Sequence, residues 1–185
     1  MIRTTARLLL REFRADDWPA MLAYQADPRY LRYYAWTERN EADVRAFVQR
    51  FLDQQAEQPR WRWQLAITLA ATGELLGNCG LRLDAPGART GNIGYELAPP
   101  AWGQGYATEA AREMTRFGFL ELGLHRIWAQ CVAENVASAR VLEKVGLRRE
   151  GHLREADWFK GHWWDGLIYG LLEDEWRANT AAART

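Results

Sequence analysis

The chain has 185 residues, of which 48% are hydrophobic and 26% are charged, and its 24 Lys and Arg balance its 24 Asp and Glu. This length and composition are typical of one folded domain and exclude a disordered chain. A formal net charge of zero provides no overall positive field, so the sequence predicts no nucleic-acid partner and no membrane partner.

Two cysteines, Cys79 and Cys131, lie in stretches that read as strands. Two cysteines form no disulfide framework, and they have no close histidine with which to bind zinc, so we expect no metal. The start of the chain, Met1–Arg7, lacks the apolar run of a signal peptide. No apolar stretch approaches the roughly 20 residues of a membrane span. We therefore expect a cytoplasmic protein.

The first half of the chain begins with one strand and two helices. The strand is expected at Arg7–Phe13, and a helix is expected to start at Ala15 and run towards Pro28. A second helix is predicted over Glu41–Gln55, where apolar residues recur at helical spacing. Residues 29–36 between the helices are rich in aromatic side chains and have no clear period.

A hairpin and a further strand follow. Alternation predicts strands at Trp61–Leu69 and Leu75–Leu83, joined by a turn at 71–74. Another strand is expected at Gly91–Leu97. It should end before residues 99–100, because these two prolines lack the backbone donor that a ladder requires.

The second half of the chain is predicted to contain two further helices and three strands. The helices are expected at Tyr106–Leu122 and Asn135–Val145, the second ended by Gly146. The strands are expected at His125–Val132, Leu147–Asp157 and Trp163–Leu172. We expect residues 1–177 to form a single domain and residues 178–185 to be a frayed tail. This element order predicts an α+β or mixed α/β fold.

One stretch between a strand and a helix carries a chemical signal. The strand stops at the prolines, a Gly103-Gln104-Gly105 turn follows, and the helix begins at Tyr106. Glycine permits close approach of the backbone to a ligand, and the free N–H groups at a helix start attract anions. Such a turn can bind a pyrophosphate, although the glycines could also serve the turn geometry alone.

The same stretch resembles the acetyl-CoA signature of the GNAT superfamily, Q/R-x-x-G-x-G/A. Gly105 and Ala107 match its last two fixed positions, whereas Trp102 stands where Gln or Arg is usual. The stretch is similar to the ribosomal-protein N-terminal acetyltransferase (RimJ/RimL) branch, in which an aromatic residue at that position is common. Five further segments resemble this branch in the same order along the chain: residues 5–11, 122–127, 135–147, 149–151 and 164–166. The resemblance covers residues 5 to about 176.

The resemblance implies a GNAT-like, mostly antiparallel, centrally splayed sheet of six to seven strands with about four flanking helices. It implies that acetyl-CoA, without a metal, lies between the strands Gly91–Leu97 and His125–Val132. The N–H of Leu97 would polarise the thioester carbonyl. The implied cofactor-binding residues are Leu97, Trp102, Gly103, Gln104, Gly105, Tyr106, Ala107, Asn135 and Ser138.

The implied catalytic residues are Ser138, Asp157 and Glu96. Ser138 would protonate the departing thiolate, or it is a capping hydroxyl, while Asn135 suits a helix N-cap. For the base, Asp157 is favoured by spacing, with Glu96 as the alternative. Glu155 and Asp157 are expected on one face of their strand. Each carboxylate could instead be an ordinary charge of the sheet.

The implied acceptor wall contains Tyr33, Tyr34 and Trp36. The predicted function is acetyl transfer to a primary amine by direct attack in a ternary complex, with a protein N-terminal α-amine as first choice. The alternatives are a small-molecule amine (polyamine, amino acid or aminoglycoside) and a non-catalytic acetyl-CoA-binding regulatory module. A strongly acidic pocket would favour a polycation, and a wide cleft a polypeptide end. The oligomeric state stays open, with a homodimer as one alternative.

Overall fold

One eight-stranded sheet organises the molecule. The computed structural model describes residues 1–182. The strands are β1 (Ile2–Thr4), β2 (Leu8–Glu12), β3 (Arg62–Leu69), β4 (Leu75–Leu83), β5 (Thr90–Leu97), β6 (Arg126–Val132), β7 (Arg148–Phe159) and β8 (His162–Leu172). Their order is β1-β2-β3-β4-β5-β6-β8-β7, and all neighbours are antiparallel except β5 and β6.

Within residues 1–182, six α-helices flank the sheet: α1 (Trp18–Gln25), α2 (Pro28–Leu31), α3 (Glu41–Gln55), α4 (Tyr106–Leu120), α5 (Val136–Val145) and α6 (Glu173–Ala182). Helices α1 and α3 pack on one face around buried Met21, Val44 and Phe51. Helix α4 packs on the other face, where Met114 is fully buried. No helix within residues 1–182 is long and apolar enough to cross a bilayer.

The predicted fold class is confirmed, but within residues 1–182 the sheet has eight strands instead of six to seven, and there are six α-helices instead of about four. The additional strand, β1, has only three residues and pairs antiparallel with β2. Helix α2 starts after Asp27, whose carboxylate accepts the N–H of Arg29 at 2.8 Å. Helix α6 includes Ala178–Ala182 of the expected frayed tail, and residues 183–185 lie outside the described residues.

The central splay is also confirmed. Strands β5 and β6 pair at three positions only, Thr90–Asn92 against Arg126–Trp128. Beyond Asn92, β5 stays with β4 while β6 continues along β8. The two strands therefore diverge towards their carboxyl ends and open a V-shaped gap in the middle of the sheet.

Candidate active site

The gap between β5 and β6 is a cleft of about 950 Å³. Its walls come from β5, β6, the starts of α4 and α5, and the aromatic segment after α2. Of the predicted site residues, the structure brings these to the cleft: Tyr33, Tyr34, Glu96, Leu97, Trp102, Gly103, Gly105, Tyr106, Ala107, Asn135, Ser138 and Asp157. Gln104 and Trp36 are not among its lining residues.

The glycine turn occupies one end of the cleft. Gly103 and Gly105 have φ values of +75° and +82°, in the left-handed region that a side chain disfavours. Gly105 immediately precedes α4, so the unpaired N–H groups of the first helical turn follow it directly. These groups carry the partial positive charge of a helix N-terminus. The turn therefore has the geometry of an anion site.

Arg7, the residue before β2, supports this turn, a role that the sequence did not reveal. Its Nη1 donates to the carbonyl of Gln104 at 2.9 Å, and its guanidinium lies 4.5 Å from the centre of the Tyr106 ring. The Glu109 carboxylate accepts the backbone N–H of Arg7 at 2.9 Å and the Thr5 hydroxyl at 2.6 Å. Burial acts to raise the pKa of Glu109, but the hydrogen bonds from Thr5 and Arg7 lower it overall.

The predicted donor at Leu97 is not used in the ladder with β4. The N–H of Ala98 bonds to Leu76 at 2.7 Å, and the N–H of Asp84 bonds to Thr90 at 3.1 Å. Because hydrogen bonds alternate along an antiparallel pair, the N–H of Leu97 points away from β4. Trp102 donates its indole Nε1–H to the carbonyl of Leu97 at 2.8 Å, which fixes the end of β5.

The opposite wall is the start of α5. Asn135 accepts the N–H of Ser138 at 3.1 Å and caps the helix. The Tyr95 hydroxyl donates to the carbonyl of Ser138 at 2.9 Å and lies 3.1 Å from its Oγ. Burial raises the pKa of Tyr95, which keeps the phenol neutral. Tyr95 thus fastens Ser138 to β5 across the gap, and the sequence offers no signal for this contact.

Glu96 is the centre of a polar network. Its Oε1 accepts three hydrogen bonds and its Oε2 accepts two, from the following donors: Tyr24 (2.8 Å), Gln25 (2.9 Å) and Asn78 (2.6 Å), then Tyr30 (2.6 Å) and Tyr34 (3.2 Å). Burial, followed by the charge of Glu96, raises the pKa of all three tyrosines. A carboxylate has about four lone-pair sites, so Glu96 has no obvious capacity for a further proton donor.

The two carboxylates of β7 do not share a face as expected. A register shift between Leu153 and Asp157, with φ +50° at Glu155, interrupts the alternation of the strand. The N–H of Glu155 bonds to Asp165 at 2.8 Å, and Glu155 does not line the cleft. Asp157 lines the cleft, and its carboxylate makes no hydrogen bond or ion pair with any other residue of 1–182.

The aromatic wall divides at Tyr34. Tyr33 donates its hydroxyl to the carbonyl of Glu134 at 3.0 Å, which joins the end of α2 to the loop after β6. Tyr34 stacks between Tyr30 and Trp36, with ring centroids 4.7 Å apart on each side. Tyr33 and Tyr34 therefore face the cleft, whereas Trp36 lines a second cavity beyond Tyr34.

The charge of the cleft is nearly balanced. Its basic residues are Arg29, Arg32, Arg140 and Lys144, and its acidic residues are Glu96, Glu134 and Asp157. The pocket is thus not strongly acidic. Within residues 1–182, no group of three or more His, Cys, Asp or Glu is arranged to hold a metal ion.

Comparison with known proteins agrees with this geometry. A family model described as an acetyltransferase (GNAT) domain matches residues 7–148. YnaD of Bacillus subtilis (strain 168), described as an uncharacterized N-acetyltransferase, is 36% identical over 173 residues, which is 94% of this chain and 98% of YnaD.

Solved structures share the fold. A GNAT-family acetyltransferase from Bacillus anthracis superposes with a TM-score of 0.83 at 33% identity, covering 94% of this chain and 99% of that one. RimL, a ribosomal L7/L12 α-N-protein acetyltransferase in complex with coenzyme A, has a TM-score of 0.81 at 21% identity, covering 95% and 99%. The chain belongs to the GNAT family and is an acetyl-CoA-dependent N-acetyltransferase.

Proposed function

We propose that the chain acetylates a primary amine by direct attack within a ternary complex, and that the amine is the α-amine of a peptide or protein. One observation carries the proposal: the N–H of Leu97, the Ser138 hydroxyl and the unpartnered carboxylate of Asp157 belong to one cleft that ends at an anion-binding turn. A hydrogen-bond donor, a proton donor and a proton acceptor are the groups that acyl transfer to an amine requires.

The coenzyme supplies the acetyl group as a reactive thioester, and this chain's residues bind and orient it. The turn at Gly103 and Gly105, followed by the first N–H groups of α4, suits the pyrophosphate because backbone donors and the helix dipole favour anions. A Cβ at Gly103 would meet no heavy atom within 4 Å, so the turn presents open backbone to the cleft. Asn135 and Ser138 would line the path of the pantetheine arm on the other wall.

The N–H of Leu97 would stabilise the negative charge that develops on the carbonyl oxygen during attack. Ser138 would give a proton to the leaving thiolate, with its position fixed by the hydroxyl of Tyr95. The protonation of the thiolate completes the cleavage of the carbon–sulfur bond as the new amide bond forms.

Asp157 is the base that the geometry favours. Its carboxylate is exposed and without a partner in the described chain, so it is able to accept the amine's proton directly or through one water. Glu96 already accepts five hydrogen bonds, and we assign it a positioning role for the tyrosines of the acceptor wall.

The charge of the cleft supports the choice of acceptor. A polyamine or aminoglycoside carries several positive charges, and four basic residues beside three acidic ones give such a polycation little attraction. A cleft of about 950 Å³ that is open to solvent can admit the end of a polypeptide as well as the coenzyme.

The test is an acceptor screen with acetyl-CoA that measures thiol release from peptides, free amino acids and polyamines side by side. We expect peptides with a free α-amine to react and their N-terminally blocked forms not to react. Ser138→Ala and Asp157→Asn should each lower kcat by about 10²-fold or more, with little change in acetyl-CoA affinity. Glu155→Gln is the matched control on the same strand. Reaction with polyamines alone, or an equal loss in Glu155→Gln, would contradict the proposal.

A further inference from the structure

A second cavity of about 320 Å³, which we call the side chamber, adjoins the cleft on the α3 side of the sheet. It shares Tyr34, Tyr95 and Glu96 with the cleft, so it begins where the acceptor is expected. Aromatic rings from Trp36, Phe47 and Phe51 form much of its wall. No step of the proposed chemistry uses this chamber.

The floor of the chamber depends on a facing pair of glycines. Gly80 on β4 and Gly94 on β5 are cross-strand partners, and neither contributes a side chain. A Cβ at Gly80 would collide with the amide of Gln64, and a Cβ at Gly94 would lie 3.5 Å from Nη1 of Arg82. The two glycines therefore leave room for the side chains of Gln64 and Arg82 to lie across the sheet.

Arg82 brings a positive charge to this floor; the nearby charge of Glu96 acts on it, but Arg82 forms no ion pair within residues 1–182. Its guanidinium donates to Asn92 at 3.1 Å and to Gln64 at 2.8 Å, both neutral amides. These bonds use two of its five N–H donors, and no ion pair of Arg82 occurs within residues 1–182. Burial lowers the pKa of Arg82. A secluded cation with free donors is costly unless an anion completes its shell.

Two further arginines contact the aromatic rings of the chamber wall. Arg50 lines the chamber, is exposed, and contacts the Phe47 ring at 5.0 Å. Arg39 lies over the rings of Trp36 and Phe47 at 5.0 Å and 5.4 Å. Neither forms an ion pair with a described residue. The carboxylate among the chamber's lining residues is Glu96, which is occupied by its five donors.

Two residues of the chamber wall each contain a polar atom without a hydrogen-bond partner. The indole Nε1 of Trp36 and the Oε1 of Gln54 are buried without a hydrogen-bond partner, and Gln54 is only 8% exposed. More than about 90% of buried polar groups in folded proteins are paired. Both atoms are covered by protein, so a ligand in the chamber would reach them only if the side chains of Trp36 and Gln54 turned towards it.

Resting on the proposed function, we propose that the acceptor amine carries a carboxylate, which enters the side chamber and binds Arg82. The guanidinium lies over Gly94, two residues from Glu96 on the same face of β5, a spacing of about 7 Å. The amine then remains at the mouth of the chamber beside Tyr34, while Trp36 and Phe47 enclose the intervening carbon chain. Under the proposed function this carboxylate belongs to an acidic side chain near a peptide's N-terminus, and a free amino acid as the acceptor is the alternative that the experiment separates from it.

The experiment compares acids with their matched amides in two arms. One arm uses 4-aminobutyrate and 4-aminobutyramide, and the other uses two C-terminally amidated pentapeptides that differ only by Glu or Gln at the second position. We expect the acid to exceed its amide in kcat/KM by about 10- to 100-fold in the arm that represents the natural source, chiefly through KM. Thermal melts of the coenzyme-free protein with each probe provide a readout that does not depend on turnover.

Arg82→Gln should bring the acid-to-amide ratio close to one, and Arg82→Lys should give an intermediate ratio because it keeps the charge but loses the planar fork. Arg89→Gln, a change at an exposed arginine remote from the chamber, should keep the parental ratio. Circular dichroism shows whether each variant is folded. If Arg82→Gln does not fold, Arg50→Gln provides a second test at the chamber rim.

The outcomes separate the two proposals. Equal acid and amide values in both arms and in the melts overturn the carboxylate inference, as does an equal drop of the ratio in Arg89→Gln. Acetylation of acids and amides without preference would contradict the carboxylate inference but not the proposed acetyl transfer. Melts that respond to the acid through Arg82, without thiol release from any amine, would support the chamber and contradict the proposed function.

Discussion

Replacing Glu96 by glutamine tests whether this carboxylate anchors the acceptor wall. Glu96→Gln keeps the shape of the side chain but turns one of its two oxygens into an NH₂ group. At least two of the five donors then lose their acceptor, because Oε1 receives three bonds and Oε2 receives two. Hydrogen bonds to a charged group contribute about 1.5–3 kcal/mol each.

Part of this loss is recovered, since tyrosine hydroxyls can rotate and accept a hydrogen bond from the new NH₂ group. We therefore expect the free energy of unfolding to fall by about 3 kcal/mol. For a chain of this size, that corresponds to a decrease in Tm of about 6–12 °C. Urea denaturation and thermal melts at neutral pH, without acetyl-CoA, measure both quantities.

Asp157→Asn is the matched control, because its exposed carboxylate has no partner in residues 1–182. Its stability should stay within about 0.5 kcal/mol of the parent. A Glu96→Gln variant with parental stability and abolished turnover would refute the reasoning. In that case Glu96 would be the catalytic base and its hydrogen bonds would contribute little to the fold.

Two further predictions concern the glycine turn and its support. Gly105→Ala should weaken acetyl-CoA binding at least about 10-fold, as measured by calorimetry. The control is Gly73→Ala, which introduces a side chain at a similar positive φ far from the cleft. It should show only the loss of stability from backbone strain, about 1 kcal/mol, with no loss of acetyl-CoA binding. For Glu109, whose pKa is lowered in the folded state, Glu109→Gln should be less stable than the parent at pH 7. This difference should shrink as the pH falls through the folded pKa of Glu109, which lies below the ordinary value of a glutamate. A stability difference that persists in acid, or equal coenzyme affinities for the two glycine variants, would contradict these predictions.

Sequence periodicity was sufficient for the longer elements. Helix α3 and strands β3 and β4 lie where the apolar spacing places them, and the turn before α4 could be found because left-handed φ values at Gly103 and Gly105 demand glycine. The three-residue strand β1 and the four-residue helix α2 are too short to show a period.

The polar details of the site depend on contacts that no local pattern encodes. Glu96 meets Tyr24 and Asn78 from positions 72 and 18 residues away in the chain. The bulge at Glu155 interrupts the alternation of side chains in β7, and the residue types of this strand do not predict it. The positive charge on the chamber floor could not be predicted without the register of β4 and β5, which pairs Gly80 with Gly94.

The divergence of β5 from β6 has a consequence for the solution behaviour of the protein. Past Asn92, both strands present backbone groups that have no ladder partner, so the sheet contains two edges in its interior as well as those at its ends. Unpaired edges are templates for joining another chain. The bridges from Tyr95 to Ser138 and from Tyr33 to Glu134 narrow access to these edges. We expect a molecule seated between them to cover these edges, and therefore expect a saturating ligand of the cleft to reduce aggregation, which light scattering with and without acetyl-CoA would measure.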